Sequence, residues 1–129
     1  LEAEFGPRIW FQPNQTEVTP FFSDETTHAD LRTFLAQELN AEKAGITVYD
    51  QSDCIDLCPT GLDKGSGLAF LCTRMGWELS ETAAVGDGVN DEPMLRAAGC
   101  SIGIGRQPVA GAQFTVPTIQ DAITYLLTL

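Results

Sequence analysis

The segment Ala83-Ala84-Val85-Gly86-Asp87-Gly88-Val89-Asn90-Asp91-Glu92-Pro93-Met94-Leu95 constrains this chain more than any other. A short apolar run stops at a Gly-Asp-Gly turn, and Asp87, Asn90 and Asp91 then fall within five positions. Glycines let a backbone turn sharply and approach a ligand closely. Oxygen ligands are what Mg²⁺ selects, so Asp87 and Asp91 are candidates to share one hard cation. Asn90 and Asp91 open the next helix, where free backbone N–H groups favour anions, and Asn90 is suited to donate to a phosphate oxygen. Helix capping alone would explain Asn90 and Asp91, but it does not require the preceding Gly86-Asp87-Gly88.

The surrounding pattern says where that turn lies. After Pro59-Thr60-Gly61, helices and strands alternate. Asp63 caps a helix with the apolar stripe Leu68, Leu71, Cys72 and Met75, stopped at Gly76. A buried strand over 82–85 leads to a helix over 90–98, with Pro93 in its first turn and Gly99 at its end. Strands follow over 101–104 and 113–116. Thr118 and Asp121 then cap a last helix carrying Ile119, Ala122, Ile123, Leu126 and Leu127. Such alternation implies a parallel sheet covered by helices, with ligands at the carboxyl ends of its strands. Lys64 opens the helix before the Gly-Asp-Gly strand, 23 positions ahead of Asp87. A lysine near a metal–phosphate centre would neutralise charge on the transferring group, whereas alone a lysine beside glycines is an ordinary solvated residue.

The first sixty residues read differently. Strands over 8–12 and 17–22 flank Pro13-Asn14-Gln15, and Thr27 with Asp30 reads as a capping box. Leu31, Phe34, Leu35 and Leu39 form the apolar face of that helix. Strands over 46–49 and 55–58 are joined by the polar turn Asp50-Gln51-Ser52-Asp53. This half is expected to be a helix on an antiparallel sheet, with Trp10, Phe11, Phe21 and Phe22 in its core and His28 on its surface.

At 129 residues and 43% hydrophobic, the chain has material for a modest core, as one domain or parts of two. Its net charge is −11, with Lys43 and Lys64 the only lysines. That balance argues against nucleic-acid and anionic-membrane partners. It is compatible with a salt-adapted cytoplasm, though solubility is the simpler reading. No apolar run approaches the roughly 18 residues that span a bilayer, and none resembles a secretory signal. Cys54, Cys58, Cys72 and Cys100 match no zinc framework and read as buried reduced thiols, which points to a cytoplasmic location.

Lys64-Gly65-Ser66-Gly67-Leu68, the segment from Val85 to Leu95, and Ala98-Gly99-Cys100-Ser101-Ile102-Gly103-Ile104-Gly105 together resemble the haloacid dehalogenase superfamily phosphatases. The likeness is to the C-terminal half of the Rossmann-like core in members with a large α+β cap, such as sugar-phosphate and phosphoglycolate phosphatases. It implies an α/β fold in which residues 1–60 are part of the cap and residues 61–129 part of the core. It implies an Mg²⁺-dependent phosphomonoester hydrolase acting on a small phosphorylated metabolite. Lys64 would hold the phosphoryl group and the attacking aspartate, Asp87 would ligate the metal, Asp91 would support it through water, and Asn90 would bind near the phosphate. The reaction is attack by an aspartate on phosphorus, followed by hydrolysis of the aspartyl-phosphate.

This sequence departs from the family in one respect: it holds no Asp-x-Asp nucleophile motif, which in the family precedes the cap. The expectation is a C-terminal fragment or subunit, inactive alone and partnered by the missing N-terminal half or by a second copy. P-type ATPases carry a similar Gly-Asp-Gly-Val-Asn-Asp-x-Pro signature, so a pump fragment is one alternative. A catalytically inactive binding module is another. Arg106, just past the Gly103-Ile104-Gly105 strand end, is read as a solvated loop charge with substrate contact as its alternative.

Overall fold

The computed structural model describes residues 1–129 and divides them into two units, Leu1–Gly61 and Leu62–Leu129. No helix is long and apolar enough to cross a membrane.

The first unit begins with a short helix, α1 (Glu2–Phe5), and a 3-10 turn over Gly6–Arg8. Pro7 suits that turn because its fixed φ matches it and its missing N–H is not needed there. The turn consumes the start of the expected strand over 8–12, so β1 is only Trp10–Phe11, paired antiparallel with β2 (Pro20–Phe21). Helix α2 (Glu25–Gln37) starts three residues earlier than expected. Asp24 is its cap, accepting from the Thr27 amide at 2.8 Å and the Thr27 hydroxyl at 2.8 Å. Thr27 therefore lies buried within the first turn, aspartate being preferred to threonine at a helix N-cap.

Strands β3 (Ile46–Asp50) and β4 (Ile55–Pro59) form an antiparallel hairpin around the expected polar turn. Isolated bridges Val18–Leu57 and Phe21–Cys54 join β2 to β4, so the layer is antiparallel throughout. Leu31 and Ile55 are fully buried at its centre, with Phe5, Ile9, Phe22, Leu35 and Leu57 around them. Trp10 departs from the expected core: it is half-exposed and stacks on Phe21.

The second unit is an α/β layer. Strands β5 (Ala83–Gly86), β6 (Cys100–Ile104) and β7 (Phe114–Val116) run parallel in the order β5-β6-β7. Helices α3 (Lys64–Met75), α4 (Glu92–Ala97) and α5 (Ile119–Leu126) accompany them. The caps are those the sequence indicates: Asp63 accepts from the Ser66 amide at 2.7 Å, and Thr118 with Asp121 forms a capping box. The helix expected over 90–98 is shorter, because residues Val89–Asp91 make a 3-10 turn first. Of the α3 stripe only Cys72 is buried, while Leu71 and Met75 are about half exposed, and on α5 only Ala122 is buried. The helical periods were legible, but a sheet of three strands does not cover these faces.

All four cysteines are free thiols; Cys54, Cys58 and Cys72 are buried and Cys100 is partly so. Burial, together with the charges of Asp56 and Asp53, pushes the Cys54 thiol up to about 11.

Candidate active site

The β5 strand ends at Gly86, and the chain folds back so that Asp91 covers that glycine. A Cβ on Gly86 would lie 2.5 Å from the Asp91 Cβ and 2.6 Å from its Oδ2, so no larger residue fits while Asp91 holds this position. The Asp91 Oδ2 accepts from the backbone amides of Asp87 at 2.9 Å and Gly88 at 3.1 Å. Its Oδ1 accepts from the Lys64 ammonium at 2.5 Å. One carboxylate thus closes the strand-to-helix turn and anchors the lysine.

Helix packing brings Lys64 there. Lys64 is the first residue of α3, fixed by the Asp63 cap. Gly65 lies against α4 so closely that a Cβ would sit 2.6 Å from the Pro93 carbonyl oxygen. The first turns of α3 and α4 therefore meet, and the lysine side chain spans to the residue preceding α4.

Asp91 is 6% exposed, and its partner Lys64 is half-exposed. Burial alone would push the Asp91 carboxyl up, but the hydrogen bonds from Lys64, Gly88 and Asp87 outweigh it and hold the group below the ordinary carboxylate range. Asp87 is exposed, and its carboxylate makes no hydrogen bond or ion pair within the chain. Asn90 is partly buried within the 3-10 turn.

Of the residues singled out in the sequence, Lys64, Asp91 and the backbone of Asp87 converge directly, and Asn90 sits in the same turn. Both Asp91 oxygens accept hydrogen bonds from within the chain, whereas the Asp87 carboxylate accepts none. No cluster of three or more acidic, histidine or cysteine side chains is arranged to hold a metal ion. A lone exposed carboxylate suits Mg²⁺, which keeps several waters and takes one or two protein carboxylates, as one donor among others.

Sequence reasoning missed the two backbone amides that bind Asp91; the requirement for glycine at position 86 was their trace. It also placed His28 on the surface. His28 instead stacks on Phe22 at 4.4 Å between ring centroids, and its Nε2 lies 2.5 Å from Asp50 Oδ1. Arg32 approaches the other Asp50 oxygen at 3.2 Å. No local pattern announces this cluster, because Asp50 comes from the β3–β4 hairpin.

The family model described as haloacid dehalogenase-like hydrolase matches residues 9–110. A phosphoglycolate phosphatase of Methanopyrus kandleri is 40% identical over 57 residues, covering 44% of this chain and 25% of that protein. An HMP-PP phosphatase of Citrobacter koseri is 37% identical over 79 residues, 61% of this chain and 28% of that protein. The sucrose-phosphatase of Synechocystis sp. PCC6803, solved with sucrose and phosphate, superposes with a TM-score of 0.68 at 19% identity, over 95% of this chain and 58% of that one. The chain thus spans little more than a quarter of the length of these curated relatives.

Proposed function

The chain belongs to the haloacid dehalogenase-like hydrolases, and we propose that it forms the lysine- and metal-bearing part of a phosphatase acting on a small phosphorylated metabolite. The observation that carries this reading is the Lys64–Asp91 pair closing the turn at the end of β5, beside the uncommitted carboxylate of Asp87. In this reading Lys64 offsets charge on the transferring phosphoryl group, and Asp87 holds Mg²⁺. When bound, the cation supplies Lewis-acid charge neutralisation at the phosphoryl oxygens. Asp91 is a positioning residue: it fixes the Lys64 ammonium and the turn, and reaches the metal only through water. Asn90 contacts the phosphate.

The nucleophile is an aspartate outside these residues, since the sequence holds no Asp-x-Asp pair. Its carboxylate oxygen bonds to phosphorus as the ester oxygen leaves with a proton. Water then attacks the aspartyl-phosphate and releases inorganic phosphate with the carboxylate regenerated. Residues 1–60 are assigned to the cap and 61–129 to the core, in a cytoplasmic enzyme. The polypeptide bearing the aspartate, or a second copy of this chain, is the proposed partner. The open edge of β5 and the half-exposed Leu71 and Met75 support that.

The test is phosphate release from a panel of phosphomonoesters with Mg²⁺, using the chain co-purified with the aspartate-bearing polypeptide. Hydrolysis that falls at least 100-fold in Lys64→Ala is expected. No release from any ester would overturn the reading. A chain that stays a stable monomer by light scattering at micromolar concentration would overturn the partner.

A further inference from the structure

Asp87-Gly88 is the only place in the chain where an aspartate or asparagine is followed by glycine. That dipeptide is open to a spontaneous reaction. Glycine carries no Cβ, so nothing screens its amide nitrogen from the carboxyl group of the preceding side chain. Attack by that nitrogen closes a five-membered succinimide, and hydrolysis of the ring returns either aspartate or isoaspartate.

The two reacting groups are held very differently. The Asp87 carboxylate is exposed and accepts no hydrogen bond within the chain, so no contact keeps it from its neighbour. The Gly88 amide is gripped instead. It donates to Asp91 Oδ2 at 3.1 Å, and the Asp87 amide donates to the same oxygen at 2.9 Å. Two successive N–H groups on one oxygen fix the direction of the Gly88 peptide, and the proton that its nitrogen must lose is spent on Asp91. The Asp91 carboxylate is itself fixed: it is 6% exposed, lies against Gly86, and accepts from the Lys64 ammonium at 2.5 Å through its other oxygen. Reaction therefore waits on an opening of the turn that breaks these contacts.

We infer that Asp87-Gly88 is a covalent modification site, the position where this chain forms isoaspartate, and that Asp91 sets the rate by holding the Gly88 amide. In the first step the Gly88 nitrogen bonds to Asp87 Cγ. One carboxyl oxygen departs as water, taking the amide proton and one proton from solvent. In the second step water adds to the backbone carbonyl carbon of the ring and its C–N bond breaks, leaving the chain joined through Cγ. The product has one more methylene in its backbone and a shorter carboxylate arm, so the two amides no longer meet Asp91 in register. Asp91 thus protects the turn as well as anchoring Lys64. This role is independent of whether the turn handles phosphate.

The test follows isoaspartate in the tryptic peptide spanning 75–96, over weeks at neutral pH, by mass spectrometry after Asp-N digestion, which isoaspartate resists. The folded chain should react at least about tenfold more slowly than the same chain in guanidinium chloride. Asp91→Ala should close most of that gap. Loss of stability alone would also speed the reaction, so the comparison is Gly99→Ala, whose methyl meets the Ser80 backbone at the other end of β5. At equal fraction folded, Asp91→Ala should react at least about fivefold faster than Gly99→Ala. Gly88→Ala, at a φ of −107° and ψ of 166° that any residue adopts, should nearly abolish the product in folded and unfolded chains alike. Hydrogen exchange decides the matter if Asp91→Ala fails to fold, since the Gly88 amide of the unaltered chain should be protected. Equal rates in the folded and denatured chain, no isoaspartate in the denatured chain, or isoaspartate at another residue would each overturn the inference. So would an Asp91→Ala rate no faster than that of Gly99→Ala, or a Gly88 amide that exchanges without protection.

Discussion

Asp91 and Gly86 carry the site as a pair. Because the Asp91 carboxyl is held below its ordinary value, the folded chain binds that proton less readily than the unfolded one. Its stabilisation is fully present above the unfolded carboxylate value of about 3.9 and is lost as pH falls through the lower folded value. Urea denaturation of the protein and of Asp91→Asn should therefore show a stability gap at pH 6 that narrows from about pH 4 downward; a constant gap would contradict the assignment. Gly86→Ala should cost about 1–3 kcal/mol in the same experiment, since the added methyl displaces the Asp91 carboxylate. The glycine was legible in the sequence as a turn residue. Its actual role, making room for a side chain five positions on, required the folded turn.

At the scale of elements, the contact between the first turns of α3 and α4 decides where Lys64 ends up. Gly65→Ala drives a methyl toward the Pro93 carbonyl, so the helices must separate. We expect a loss of about 1–3 kcal/mol in thermal or urea unfolding. On the proposed function, phosphate release should also fall further for Gly65→Ala than for Gly67→Ala, an exposed position on the same helix where an added methyl meets no neighbouring atoms. Equal effects of the two would refute the role given to helix contact. Capping signals identified α3 and α5 correctly because a cap is a local hydrogen bond between residues three apart. The start of α2 was misread because two candidates, Asp24 and Thr27, stand three residues apart and only one makes the cap.

For the whole molecule, a net charge of −11 on 129 residues means that repulsion opposes the compact state. Raising NaCl from about 0.05 to about 1 M shortens the screening length to about 3 Å and should raise the melting temperature by several degrees. A flat or falling response would show that the acidic surface is not a net burden. The two units bury unequal cores. The first gathers Phe5, Phe22, Leu31, Ile55 and Leu57, whereas the second buries mostly smaller side chains (Cys72, Ala84, Ala98 and Ala122 around Leu95 and Ile102) and leaves Phe70, Ile123 and Leu127 largely exposed. Those exposed faces make the second unit the one expected to gain stability on association.

Local chemistry was enough to read the alternating α/β layer, the caps of α3 and α5 and the Gly-Asp-Gly turn. Each depends on neighbours within a few positions or on a period of two or 3.6 residues. Which oxygen bonds which donor, and therefore that Asp91 is spent on Lys64 and two amides while Asp87 stays open, was settled only by folding. So were the stacking of His28 on Phe22 and the exposure of the α3 stripe. These depend on which distant segments meet, and a periodic pattern states that a face is apolar without stating what covers it.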